Sequence, residues 1–146
     1  MNLDKIDLAI VEILMEDSKQ GIKEIALQVG LTVSPTYERI KRLERNGTIE
    51  SYTVRINKKA LGKALQVLCQ VSLKEHNSEL IKVFEEKVVA LSPVSVCYHL
   101  AGDHDYALLI EVADMDEYEK FLKHQLSTIP DISNVQSSFV LSTLKQ

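Results

Sequence analysis

The apolar residues of this chain change their repeat part-way along, and that change constrains the fold more than any single motif. Up to about residue 47 they recur every three or four positions, as on one face of a helix. Ile6, Ile10, Ile13 and Leu14 mark a first helix, expected to end near Ser18 to Gly21. Ile22, Ile25, Ala26 and Val29 mark a second, closed by Gly30, and Tyr37, Ile40 and Leu43 a third, ended by Gly47. From Ala64 the repeat is two. Leu65, Val67, Cys69, Val71 and Leu73 in "LQVLCQVSL" fall on one side of a strand and on no single face of a helix. Two domains are expected. Residues 1–62 hold three short helices, "TIESYTVRIN" as a strand pair or wing, and "KKALG" as connector; residues 63–146 form the second.

In that second domain Asn77 is placed to cap a helix with Leu80, Ile81, Phe84, Val88 and Leu91 as its inner stripe, and Pro93 ends the segment. The strands "VSVCYHL" and "DYALLIEV" follow, separated only by "AGDH". A helix opens at the capping box Asp114 to Glu117, and a last strand runs through "ISNVQSSFVLST". Strand, helix, strand, strand, helix, strand predicts a ferredoxin-like βαββαβ sandwich, an antiparallel sheet with both helices on one face. The fold class expected is α+β. The other sheet face, with Val140 alternating with Ser138 and Ser142, must be solvated or covered by a subunit or ligand.

Charge divides along the same boundary. The chain carries 17 Lys+Arg against 21 Asp+Glu, a net charge of -4. Yet residues 21–62 hold eight basic against four acidic residues, while residues 63–146 hold seven Lys, twelve acids and no Arg. A guanidinium grips phosphate oxygens and guanine edges in a fork that lysine cannot copy, so arginine confined to the first 55 residues points to a polyanion there.

On a helical wheel of residues 35–45, Thr36, Tyr37, Ile40 and Leu43 gather on one face, and Pro35, Glu38, Arg39, Lys41, Arg42 and Arg45 on the other. Behind a short helix and a tight turn, this third helix is expected to be the recognition helix of a helix-turn-helix, its basic face in the major groove of double-stranded DNA. Ser34, Pro35 and Thr36 are small enough to let its start approach base edges. Arg39 and Arg42 are expected at bases or phosphates, Lys41 and Arg45 at phosphates. Either Thr32 or Ser34 can cap the helix.

The runs "LDKIDLAIVEILMEDS" and "IKEIALQVGLTVSPTYERIKRLERNGTIESYTVRIN", then "LG", resemble the winged helix-turn-helix of the Lrp/AsnC family of bacterial and archaeal transcriptional regulators. The resemblance continues in "LAGDHDYALLIEV" and "LSTIPDISNVQSSFVLSTLK" and covers nearly the whole chain. It implies a regulator that answers to an amino acid or related small effector, whose C-terminal (RAM) domain forms homodimers and often a ring of four dimers. With the helical wheel, it gives an expected DNA-facing set of Lys23, Thr32, Ser34, Pro35, Thr36, Glu38, Arg39, Lys41, Arg42 and Arg45. The effector pocket it implies lies between dimers at the glycine-aspartate turn: Gly102, Asp103, Asp105 and Tyr106, joined by His99, with Ser138, Phe139 and Val140 as facing wall and Met115 beside them. Taken alone, "AGDHDY" suits a plain hairpin, and its amides and carboxylates also suit an amino acid zwitterion. The chain departs from the family pattern at Thr32, where Ser is usual, and at Gly21 and Ile22, where a polar helix cap is more typical.

Other function classes find less support. No GxSxG, HExxH, glycine-rich phosphate loop or Cys/His nucleophile pattern occurs, so neither an enzyme nor a cofactor is expected. Sirohaem decarboxylases resemble the same two-domain architecture, with histidine and arginine around a tetrapyrrole, but the second domain here has no Arg. A metabolite-sensing subunit of another enzyme would account for the second domain and not the first. His99, Asp103, His104 and Asp105 carry metal-type donors, but adjacent strand residues face opposite ways, and no metal is expected. Cys69 and Cys97, without metal-type spacing, are expected as buried or half-buried thiols, and His76 and His124 as solvated. No apolar run approaches the roughly 20 residues of a membrane span. The amphipathic, acid-bearing start does not resemble a signal peptide, so a cytoplasmic protein away from membranes is expected.

Overall fold

The structure is a computed structural model that describes residues 3–145. It contains two compact units, divided between Ile56 and Asn57.

The first unit is a three-helix cluster. Helix α1 (Lys5–Glu16) starts at a capping box: the Asp4 carboxylate accepts the Asp7 N–H, and the Asp7 carboxylate accepts the Asp4 N–H. Helix α2 (Ile22–Val29) is followed by Gly30 at φ +70°, a left-handed position open to glycine, and Leu31 N–H closes back on the Ala26 carbonyl. That reversal leads within three residues to α3 (Val33–Arg45), which is the helix-turn-helix connection. Ile10, Ile25, Ile40 and Leu43 form the buried centre, with Ile6, Ile13, Leu14, Ile22 and Val29 around them. The expected wing is not a strand pair. Residues 50–57 carry no regular structure, and Tyr52, Val54 and Ile56 are exposed. Alternation alone cannot make a strand when no second strand lies alongside to take its N–H and C=O groups. One tie holds this segment to α3, the Tyr52 hydroxyl donating to Glu44 Oε1 at 3.0 Å.

The connector joins the second unit. Asn57 caps a 3-10 turn, Lys58–Leu61, and Lys58 Nζ lies 2.7 Å from the buried Glu111 carboxylate. Beyond it come β1 (Leu65–Leu73), α4 (Ser78–Val89), β2 (Val94–His99), β3 (Tyr106–Val112), α5 (Met115–His124) and β4 (Ile132–Phe139), the expected order. The sheet runs β2-β3-β1-β4 with every neighbouring pair antiparallel. Val67, Cys69 and Val71 of β1 and Tyr106, Leu108 and Ile110 of β3 bury one face against Phe84 and Val88 of α4 and Tyr118 and Phe121 of α5. The expected helix starts hold in part. Asn77 caps α4, and Asp114 accepts the Glu117 N–H, but the Glu117 carboxylate reaches back to Ala113 N–H rather than to its capping residue. Across the open face, Leu68 stands beside Leu109 of β3 and Ser138 of β4. Leu68 and Tyr98 are exposed there. Cys69 is buried and Cys97 half-buried, as thiols. No helix among the described residues is long and apolar enough to cross a membrane.

Candidate nucleic-acid interface and effector turn

Helix α3 is seated by Thr36, Ile40 and Leu43, and its outer strip follows from that seat. Thr36 is fully buried and its hydroxyl donates to the Thr32 carbonyl at 2.9 Å, so it cannot reach a base edge as expected. Tyr37, expected in the core, is 44% exposed. A 100° step explains both: Thr36 falls about 20° from Leu43 on the wheel, while Tyr37 falls about 120° away. The residues facing most directly outward are Ser34, Glu38, Lys41 and Arg45, with Pro35 and Arg42 beside them. The helix cap is Thr32 by backbone geometry, without a side-chain bond, and Ser34 lies inside the first turn. Lys41 Nζ pairs with Glu44 at 2.7 Å and sits 5.7 Å from the centre of the Tyr37 ring. Arg45 and, on α2, Lys23 are exposed and have no ion-pair or hydrogen-bond partner among the described residues.

Arg39 and Arg42 sit otherwise than the wheel implies. Both turn toward the start of α1. Arg39 Nη1 donates to Asp4 Oδ2 at 2.6 Å and to Asp7 Oδ1 at 2.7 Å, and Arg42 Nη2 straddles the two Asp7 oxygens at 2.6 Å each. Arg39 falls only about 40° round the wheel from Leu43, at the margin of the core rather than on the outer face. The Asp7 side chain is 2% exposed, whereas that of Asp4 is 52% exposed. Burial by itself would push the Asp7 carboxyl up; the Arg39 hydrogen bond, the Asp4 backbone and the Arg42 charge outweigh it and hold Asp7 below the usual carboxylate range. Sequence reasoning missed these two acids. Their three-residue spacing at a helix start was the available signal.

The turn between β2 and β3 is also tied inward. Asp105 Oδ2 accepts the Leu73 N–H at 2.7 Å and Oδ1 meets His76 Nε2 at 2.8 Å, while Asp105 N–H donates to the Val71 carbonyl. The Leu73 backbone bond, helped by His76 against burial, holds the Asp105 carboxyl below its usual range. His76, expected as solvated, is exposed and also pairs with the turn. Tyr106 is 1% exposed, packed on Phe84 and stacked on His99 at 4.5 Å, and its hydroxyl donates to Glu85 Oε1 at 2.9 Å. Burial first, and Glu85 second, push the Tyr106 hydroxyl up. Gly102 and Asp103 are exposed, and Gly102 does not adopt a positive φ.

Within the chain the expected effector residues do not form one pocket. Tyr106 pairs with Val71 and Phe139 with Val67, roughly 13 Å apart along β1. Ser138 faces the open side of the sheet, while Phe139 faces the helices, edge-on to Tyr118 at 5.6 Å. Val140 is half-buried just past β4, and Met115 is exposed in the first turn of α5. Among the described residues no group of His, Cys, Asp or Glu is arranged to hold a metal ion.

Comparison with known proteins decides the family. Residues 66–146 match the Lrp/AsnC ligand binding domain and residues 3–50 a winged helix-turn-helix DNA-binding domain. The chain belongs to the Lrp/AsnC family of transcriptional regulators. Among its Lrp/AsnC relatives, the Bkd operon transcriptional regulator of Pseudomonas aeruginosa is 34% identical over 142 residues, 97% of this chain and 93% of that protein. The leucine-responsive regulatory protein of Escherichia coli is 32% identical over 145 residues, 99% of this chain and 88% of its own. A transcriptional regulator of Neisseria meningitidis in complex with L-Met superimposes with a TM-score of 0.95 at 29% identity, covering 99% of this chain and 94% of that one. These relatives are regulators rather than enzymes. The helical unit described above is thus the DNA-binding domain of a transcriptional regulator, and the sheet unit its ligand-binding domain.

Proposed function

We infer that this regulator binds duplex DNA through the outer strip of α3 as a homodimer or larger ring, and that an amino acid held at the β2–β3 turn sets its affinity for DNA. The observation that carries the DNA assignment is the outward strip of Ser34, Glu38, Lys41 and Arg45, in which the Arg45 guanidinium has no partner among the described residues. Ser34 and Pro35 contribute small, exposed atoms near the start of the helix, and Lys23 of α2 adds a phosphate contact. Thr32 holds the backbone start of the helix, and Arg42 stands at the edge of the strip.

Assembly follows from two features. Leu68, Tyr98 and Leu109 lie on the sheet face opposite α4 and α5, and an antiparallel sheet with an apolar open face suits a second copy. The turn at Gly102 and Asp103 and the wall at Ser138 and Val140 lie apart in one chain, so a ligand touching both needs residues from two subunits. The Neisseria meningitidis relative bound to L-Met supports an α-amino acid as the effector class. Asp103, exposed and without a partner among the described residues, is the acceptor for the ligand ammonium, and the turn amides receive its carboxylate. Binding to chromosomal DNA sets its place of work in the cytoplasm.

The test combines calorimetry against a panel of amino acids, light scattering, and titration of duplexes selected by the protein from a random pool. One amino acid should bind, shift the assembly and change DNA affinity by linked amounts, because an effector acts only through its preference between states. A protein that selects no duplex, or binds an amino acid without change in assembly or DNA affinity, would sink this reading.

A further inference from the structure

The network at the foot of α1 joins two unlike carboxylates to two arginines. Asp7 is buried and engages both Arg39 and Arg42, whereas Asp4 is half-exposed and engages Arg39 alone. Arg42 uses only Nη2 in this contact. Its Nε and Nη1 donors have no acceptor among the described residues, and 47% of the side chain remains exposed beside the outer strip of α3. A guanidinium is a rigid plane with five N–H donors, so holding Nη2 against both Asp7 oxygens restricts how the rest of the group can turn.

We propose that Asp7 is a positioning residue for DNA recognition, holding the Arg42 guanidinium at the edge of the outer strip of α3, while Asp4 acts in the opposite sense as an intramolecular competitor that DNA phosphate displaces from Arg39. The proposal rests on the DNA-binding reading of α3 and adds the part played by α1. It requires the two acids to act with opposite signs. Removing Asp7 lets Arg42 swing away from that position. Removing the charge of Asp4 frees Arg39 for a phosphate.

Two simpler roles for the acids would leave different patterns. If they act only as nearby negative charge, removing either one strengthens binding. If they act only in folding, both substitutions weaken binding in step with lost stability.

The experiment uses the full chain, a duplex it selects from a random pool, and a non-specific duplex of scrambled sequence. Asp4→Asn keeps a side-chain oxygen to cap α1, since Asn caps as well as Asp. It should bind either duplex about threefold more tightly, as expected for release of one exposed ion pair, with a salt slope steeper by about 0.9. Asp7→Asn should bind the selected duplex about tenfold more weakly, with less loss on the scrambled one. Because Asp7→Asn removes a buried partner, its fold is checked by thermal melting, and Arg42→Lys serves as a second variant that keeps the charge. Arg42→Lys should retain the wild-type salt slope and lose about tenfold in preference for the selected duplex. If both aspartate variants move affinity the same way, or Arg42→Lys keeps wild-type preference, the positioning role is wrong. If wild type itself selects no duplex, the DNA-binding reading fails before this one is reached.

Discussion

Arg42 on α3 and Asp105 at the head of β3 are each tied to a neighbouring element, but the ties leave different remainders. Arg42 gives one nitrogen to Asp7 and keeps the rest of its donors. Asp105 has one oxygen on the Leu73 backbone and the other on His76, so both ends of its carboxylate are engaged within the sheet unit. A guanidinium can therefore hold the fold and meet a ligand at once. A carboxylate with a fold contact on each oxygen can meet a ligand only through its remaining lone pairs, and removing it takes away those fold contacts as well. Substitutions at the two residues should fail differently: at Arg42 stability and binding separate, and at Asp105 they are lost together.

The largest effect expected is at the turn. Asp105→Ala leaves the Leu73 N–H without its acceptor and frees His76, and should lower the stability of the sheet unit by about 2.5 kcal/mol in urea unfolding. Amino acid response should vanish with it, through the broken turn. A variant that kept its stability and lost only the response would make Asp105 a ligand contact and erase the contrast with Arg42. Arg39→Ala tests the other side. It removes one of two arginines from buried Asp7, and a loss of about 1.5 kcal/mol in the helical unit is expected by the same measurement.

Both ties also predict acid sensitivity of a definite sign. Asp7 and Asp105 are held below their unfolded value of about 3.9, so the stability they contribute is complete above that value and is lost as pH falls through their lowered folded values. Urea unfolding followed from about pH 5 down to pH 2 should show a shallower loss in Asp7→Asn and Asp105→Asn than in wild type. Equal slopes would mean that the two carboxylates titrate alike folded and unfolded.

The element order was legible because it rests on repeats, and the family because whole runs of the chain resemble it. Alternation of Val67, Cys69 and Val71, or the spacing of Ile6, Ile10 and Ile13 in α1, is visible within each segment taken alone. The inward ties were not legible because they depend on which elements meet. Nothing within 35–45 says that Arg39 faces Asp4 and Asp7, thirty-odd positions earlier in the chain, and nothing in "AGDHDY" says that the Leu73 amide lies over Asp105. Thr36 shows the same limit in miniature. Its hydroxyl suggested an exposed contact, whereas a bond to its own helix backbone lets it sit in the core.

A smaller effect separates the free cation from the tied ones. Arg45→Ala should leave the melting temperature unchanged, because no described residue partners its guanidinium, while lowering the salt slope of DNA binding by about 0.9 for one lost phosphate. Arg39→Ala, by contrast, should lower both stability and affinity. Salt titrations of both variants beside thermal melts check the contrast, and an Arg45→Ala protein with wild-type slope would remove α3's outer strip from the interface.

The smallest effect is expected at Gly102. A Cβ built there meets no atom within 4 Å, and the backbone has no positive φ that an alanine would strain. Gly102→Ala should therefore unfold within about 0.5 kcal/mol of wild type. Any loss of amino acid binding in that variant cannot come from the fold of the subunit and must come from a group that approaches the turn from outside it, either the ligand or a second copy of the chain. Calorimetry and light scattering on Gly102→Ala divide these: a weaker ligand isotherm with unchanged assembly assigns the glycine to the ligand, and a smaller particle without ligand assigns it to the neighbouring subunit. Wild-type behaviour in both would exclude close approach at Gly102 and move the effector site to another part of the sheet unit.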